Sequence, residues 1–169
     1  GCSKGEEAYS VAMLLRELIA REKLAIDPEI TATDINTQIL QEAGRGLYSS
    51  EKLNNVRHGL LRKYFTPEHG QFVLNPEIRD MVCFKQYDIL DRDRATPVPD
   101  PEARFDLIFC CNVLIYFNAL YQEIIFDKLY HALAAQGYLV LGETEVPLGR
   151  HADMFKRKNE CCHVYQKSG

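Results

Sequence analysis

Asp34 lies at the end of a stretch rich in β-branched residues, Glu29 to Ile35. A carboxylate so placed can accept hydrogen bonds from both hydroxyls of a ribose. It can equally cap the helix that follows, a role that Asn36 also favours. Asp88 follows the strand-like run Met81 to Tyr87, in Tyr87-Asp88-Ile89-Leu90. Its side chain can take the amino group of an adenine while an apolar neighbour covers the ring, or it is a surface turn residue. Asn112 follows the apolar run Phe105 to Cys111. An amide at a buried strand end needs partners, which the polar end of a cofactor would supply. Tyr116 either presents its hydroxyl to a reaction centre or packs in the core with that hydroxyl satisfied. The loop Gly1-Cys2-Ser3-Lys4-Gly5 leads into a helix N-terminus. There glycine lets the backbone approach closely, and free N–H groups favour a carboxylate or phosphate. The loop is neither G-x-G-x-x-G nor a P-loop, and also reads as a tight turn.

Other chemistries lack their residues. The five histidines (His58, His69, His131, His151, His163) are scattered, no two at ligand spacing on one helix, and no metal is expected. There is no G-x-S-x-G elbow and no nucleophile–base pairing. The six cysteines form no C-x-x-C pair, and the vicinal pairs Cys110-Cys111 and Cys161-Cys162 suit neither a staple nor a tetrahedral zinc site. They read as small apolar side chains in a reducing cytosol. Arg45 to Lys63 is locally basic, with Arg45, Lys52, Arg57, Arg62 and Lys63 against Glu51. It reads as a solvated helix face, or as a docking patch for an acidic protein.

The elements that must hold these residues follow from periodicity. Val11, Leu14, Leu15, Leu18 and Ile19 fall at helical spacing, with Ser3 and Glu6 as a capping box in front. Asn36 caps a second helix, with Ile39, Leu40 and Ala43 on one face and Gly44 or Gly46 at its end. Met81 to Tyr87 reads as a strand, and Phe105 to Cys111 as one covered on both faces. A helix is expected from about Asn118 to Ala135, with Tyr121, Ile125, Leu129, Ala132 and Leu133 inward, ended by Gly137 before a strand from Tyr138 to Leu141. Phe155 to Lys158 and Cys162 to Gln166 suit a closing hairpin. The linker-like stretch Arg92 to Glu102, with Pro97, Pro99 and Pro101, suits a surface loop within one domain. Such alternation predicts an α/β fold with a mainly parallel sheet, whose ligands sit beyond the carboxyl ends of the strands.

Composition fits one domain. The chain has 169 residues, 46% apolar and 26% charged, with net charge −4. This excludes disorder, and it argues against a polyanion binder. No apolar run is long enough to span a bilayer, and Gly1 to Glu7 does not read as a secretory signal. A loop like Gly1 to Gly5 ordinarily follows a strand, so the sequence is expected to be a fragment that lacks its first strand.

Three ordered motifs resemble one family. Gly1-Cys2-Ser3-Lys4-Gly5-Glu6-Glu7-Ala8-Tyr9-Ser10, then Ala32-Thr33-Asp34-Ile35-Asn36, then Phe105-Asp106-Leu107-Ile108-Phe109-Cys110-Cys111-Asn112-Val113-Leu114-Ile115-Tyr116-Phe117 are similar to the CheR-type chemotaxis-receptor glutamate O-methyltransferases. Gly137 to Glu145 is similar to the family's later strand and loop. The resemblance covers essentially the whole chain. It implies a class I S-adenosylmethionine-dependent methyltransferase, Rossmann-like, spanning residues 1–169 with a small antiparallel insert at about 64–79. It also implies a missing N-terminal helical domain. The implied cofactor is S-adenosyl-L-methionine, held by Glu7, by Asp34 at the ribose, by Asp88 and Ile89 at the adenine, and by Cys111 and Asn112, with Tyr116 beside the methyl group. The implied partner is the cytoplasmic domain of a methyl-accepting chemoreceptor. Neither nucleic acid nor membrane insertion is expected, and the protein is expected to be a cytoplasmic monomer.

This sequence also departs from the family pattern: Lys4 for Thr, Ala8 for Pro, Cys111 for Arg, and Glu143-Thr144-Glu145 for a Gly/His-Ser-Glu type of sequence. A glutamate, with an ordinary pKa of about 4.3, is already the nucleophilic anion at neutral pH. Methyl transfer to it needs placement and water exclusion rather than a general base. A cation that orients the carboxylate would help, and the Arg replaced by Cys111 and an Arg of the missing segment are two that this chain lacks. Each such loss costs about 2–3 kcal/mol, about two decades in rate. The isolated chain is therefore expected to be weak or inactive. Alternative readings are a non-catalytic module that binds S-adenosylmethionine or a signalling partner, and a class I methyltransferase with another substrate.

Overall fold

Turn chemistry and caps punctuate the chain much as the periodicity predicts, and the exceptions have physical causes. The computed structural model describes residues 1–100 and 102–168; Pro101, part of the expected surface loop, lies outside the described residues. Two compact units divide the chain, Gly1–Tyr87 and the part from Asp88 onward.

In the first unit, helix α1 (Glu6–Glu22) starts at Gly5, whose φ of 82° is left-handed and which has no side chain to cap the helix. The expected Ser3–Glu6 capping box does not form. Ser3 is itself left-handed, at φ 49°, and its N–H donates to the Asp34 side chain instead. Strand β1 (Ile30–Asp34) runs parallel to a strand at Val82–Gln86, with Asp34 opposite Gln86. Between them lie helix α2 (Thr37–Arg45) and strand β2 (Leu47–Tyr48), then helix α3 (His58–Tyr64), strands β3 (Phe65–Glu68) and β4 (Gln71–Leu74), and the short helix α4 (Pro76–Arg79). The strand at Val82–Gln86 is β5. Asn36 caps α2 as expected: its side-chain oxygen accepts from the N–H groups of Gln38 (2.9 Å) and Ile39 (3.2 Å), and Gly46 ends the helix in a left-handed turn. A three-stranded antiparallel sheet of order β2-β4-β3 occupies the middle of this unit. Its β3–β4 hairpin turns on His69-Gly70, both at positive φ, the primed geometry that matches strand twist.

The face of α1 that enters the core is not the expected one. Ala8, Tyr9, Ala12 and Met13 are buried, while Leu14 and Leu18 are 59% and 38% exposed. Two alanines let the helix lie close to its neighbours, and the Tyr9 hydroxyl finds the carbonyl of Ala43 at 2.9 Å. Tyr64, Leu74 and Ile78, at most 1% exposed, complete this core. Each such side chain contributes about 1.5–3 kcal/mol by leaving water. The basic stretch is partly paired: Lys52 reaches Glu6 at 3.6 Å and Lys63 reaches Glu17 at 2.5 Å.

In the second unit, strand β6 (Phe105–Cys110) pairs parallel with β7 (Leu133–Leu141), and β7 pairs antiparallel with β9 (Val164–Lys167). Strand β8 (Phe155–Arg157) closes the order β6-β7-β9-β8, so the expected C-terminal hairpin forms. Helix α5 (Ala119–Ala132), capped by Asn118, connects β6 to β7, and helix α6 (His151–Met154) precedes β8. Helix α5 ends earlier than expected because the backbone turns extended at Leu133 and pairs at once with Phe105; a register irregularity follows, with Gln136 at φ 63°. Ile125, Phe126, Leu133 and Leu139 are fully buried, whereas Tyr121, expected inward, is 43% exposed. Strand β6 is not covered on both faces: Leu107 and Phe109, two residues apart on one face, are 42% and 41% exposed.

Candidate functional site

In the first unit the opening loop is fastened to the end of β1. The N–H of Cys2 donates to the Thr33 carbonyl at 2.8 Å, and that of Ser3 to Asp34 Oδ2 at 3.0 Å. Asp34 Oδ1 accepts from the N–H of Asn36 at 3.0 Å. One carboxylate thus clamps both turns that flank the strand end, while the cap of α2 is Asn36. A carboxylate has about four acceptor sites, so each oxygen retains capacity for a hydroxyl. From the other side, the Tyr48 hydroxyl donates to the Lys4 carbonyl at 2.9 Å, and Lys4 pairs with Glu42 at 2.8 Å. A Cβ at Gly5 would lie 2.9 Å from the Phe84 ring, so both the positive φ and the close approach require glycine. Glu7 stands exposed in the first turn of α1, where backbone N–H groups point outward. Asp34 and Glu7 therefore flank one loop.

Cys2 belongs to that loop, and its thiol is pushed up from the ordinary 9.0 to about 11, chiefly by burial, against the pull of the N-terminal charge. Burial disfavours the thiolate. The shift leaves its stabilising contribution intact below pH 9 and removes it as the pH climbs toward 11, because the unfolded chain ionises first. With iodoacetamide at neutral pH, the exposed Cys161 and Cys162 are expected to alkylate while Cys2 stays unmodified. Mass spectrometry of the N-terminal peptide checks this; labelling of Cys2 as fast as that of Cys161 would contradict it.

In the second unit, Cys111, Asn112 and Tyr116 fall in the loop that leaves β6. The Cys111 thiol is half-buried and directed at the Val140 carbonyl, 3.8 Å away. Asn112 is exposed and left-handed, at φ 57°. Tyr116 closes a single turn of 3-10 helix, Leu114–Tyr116, and is 80% exposed, so it does not pack in the core. Asp88 is exposed, and its Oδ1 accepts from the Leu90 N–H at 2.8 Å, the geometry of a local turn. Ile89 is half-buried against the core of this unit.

Two supports of this loop escaped sequence reasoning. Glu145, 4% exposed, takes the N–H of Asn112 at 2.9 Å, of Leu114 at 2.7 Å and of Gly142 at 2.8 Å. Gln122 Nε2, on α5, donates to the carbonyls of Leu114 (3.0 Å) and Phe117 (2.9 Å). Nothing in spacing distinguishes such an acid or amide from a solvated one. Among the described residues no group of three or more His, Cys, Asp or Glu is placed to hold a metal, and no helix is long and apolar enough to cross a membrane.

The first unit thus carries carboxylates at the end of β1 and in the first turn of α1, and the second carries an amide and a phenol in the loop after β6. Comparison with known proteins narrows the ligand. The family model described as the SAM binding domain of CheR methyltransferase matches residues 1–162. The chain is 33% identical over 150 residues to a chemotaxis protein methyltransferase of Borreliella burgdorferi, covering 88% of this chain and 51% of that one. It is 35% identical over 145 residues to chemotaxis protein methyltransferase 2 of Vibrio cholerae, covering 85% and 49%. With the chemotaxis protein methyltransferase of Escherichia coli K12 it shares 33% identity over 147 residues, covering 85% and 49%. The chain spans about half the length of these relatives.

Proposed function

The chain belongs to the CheR methyltransferase family, matching its SAM-binding domain, and from that membership we propose that it is the cofactor-binding, catalytic part of an enzyme that methylates glutamate side chains on the cytoplasmic helices of a chemoreceptor. Its α/β fold is that of the class I S-adenosylmethionine-dependent methyltransferases, and its cofactor is S-adenosylmethionine. The cofactor, when bound, supplies an electrophilic methyl group on a sulfonium. Asp34 accepts the ribose hydroxyls, and Glu7 offers a carboxylate to the charged end. By the family resemblance, Asp88 and Ile89 would hold the adenine, one through its carboxylate and the other through its apolar surface, Cys111 and Asn112 would contact the cofactor, and Tyr116 would lie by its methyl group.

The observation that carries this reading is Asp34. It is a carboxylate fixed by two backbone N–H groups at the end of a parallel strand, beside a left-handed glycine loop. The polar groups placed at the two strand ends include no histidine, which agrees with a nucleophile that is already ionised at neutral pH. Cys111 carries no charge where the family pattern has a guanidinium. A lost charge-assisted contact costs about 2–3 kcal/mol, about two decades in rate.

The test pairs calorimetry with methyl transfer from tritiated S-adenosylmethionine to a chemoreceptor cytoplasmic fragment. Saturable cofactor binding is expected, with transfer at least two decades slower than that of the E. coli relative and release of the label as methanol in mild base, as a carboxyl ester requires. Absence of binding overturns the reading. Binding without any transfer favours a second one, a cofactor-binding module without catalysis, for which the neutral Cys111 is the specific observation.

A further inference from the structure

We infer that Glu145 is a positioning residue for methyl transfer: its buried carboxylate locks the left-handed Asn112 and the turn that carries Tyr116 onto the end of β7. This role rests on the reading of Asn112 and Tyr116 given above. The carboxylate gathers N–H groups from three places: Asn112 just after β6, Leu114 at the start of the Tyr116 turn, and Gly142 just after β7. Its own backbone is pinned as well. The Glu145 N–H donates to the Gly142 carbonyl at 3.0 Å, and the Glu145 carbonyl lies 2.6 Å from His163 Nδ1, beside β9. Asn112 is a residue with a side chain held at φ 57°, a conformation that persists only where the surroundings over-determine it.

A carboxylate suits this task and an amide does not. Three converging donors need at least three acceptor sites, which an ionised Glu offers on two oxygens. A glutamine of the same shape has one acceptor oxygen, and its NH2 group would face a donor. The fit continues at Gly142, where a Cβ would lie 2.8 Å from Asn112 Oδ1 and 2.8 Å from Glu145 Oε2. Asn112, Gly142 and Glu145 therefore interlock, and the chain uses the acid of Glu143-Thr144-Glu145 as a fastener rather than as a group that touches the substrate.

Glu145→Gln in this chain tests the role, with Phe155→Leu, a core change in the same unit, as the control for simple loss of stability. At a temperature where both variants are folded, Glu145→Gln is expected to weaken S-adenosylmethionine binding in calorimetry at least tenfold. It should also speed hydrogen exchange at the Asn112, Leu114 and Gly142 amides at least tenfold. Phe155→Leu should lower the melting temperature yet change each quantity less than twofold. Wild-type affinity in Glu145→Gln, or an equal loss in the control, overturns the inference while leaving the functional reading in place. A wild-type chain that binds no S-adenosylmethionine overturns the functional reading, and this role with it.

Discussion

Asp34→Ala is expected to weaken S-adenosylmethionine binding by two to four decades, enough to erase the calorimetric signal. The loss sums over the two ribose hydroxyls proposed to bond to Asp34. A hydrogen bond to a charged group contributes about 1.5–3 kcal/mol, so losing two removes about 3–6 kcal/mol, and each 1.4 kcal/mol is about tenfold. The substitution also deprives the N–H groups of Ser3 and Asn36 of their acceptor, at 3.0 Å in both cases. The opening loop and the start of α2 should loosen together, which a lowered melting temperature without cofactor would show. Asp34→Asn is the intermediate case: its one oxygen keeps one of the two N–H groups while its NH2 group faces the other, so stability and affinity should both fall, each by less than in Asp34→Ala. A dissociation constant within fivefold of wild type in Asp34→Ala would remove Asp34 from the site.

Gly142→Ala is expected to destabilise the second unit by about 1–3 kcal/mol, the range for forcing a methyl group into a packed place, and to weaken cofactor binding at least tenfold. The added Cβ would meet Asn112 Oδ1 and Glu145 Oε2 at 2.8 Å and the Asn112 backbone nitrogen at 3.0 Å. Asn112 Oδ1 ends an exposed side chain and can turn aside, but the other two cannot: the carboxylate already holds three N–H groups, and the nitrogen is one of them. Gly44→Ala is the counterpart, since nothing lies within 4 Å of a Cβ there and α2 is helical around it. It should raise stability by up to about 1 kcal/mol. Urea denaturation of the two variants decides. A Gly142→Ala protein as stable as wild type would mean that this corner has slack that its distances deny.

The legible parts of this chain were those in which one residue type has one use. Asn36 reads as a helix cap and is one; Phe155 to Lys158 and Cys162 to Gln166 read as a hairpin and form one. Asp34 was legible as an acid at a strand end, but not as a clamp, because its partners are backbone N–H groups that no side-chain pattern reveals. The Ser3–Glu6 box failed because a left-handed Gly5 starts α1 by backbone geometry alone. The inward face of α1 was misread because leucines dominate any count of apolar side chains, whereas close packing favoured Ala8 and Ala12. Glu145 was invisible for a further reason: a buried acid satisfied by main-chain donors has no spacing signature.

The exposed pair on β6 has a bearing on how the protein reaches its working form. Leu107 and Phe109 project from an end strand of the β6-β7-β9-β8 sheet. A marginal strand that is greasy and unsheltered is a template for aggregation. In this chain taken by itself, crowding among copies at high expression is a hazard that this segment sets.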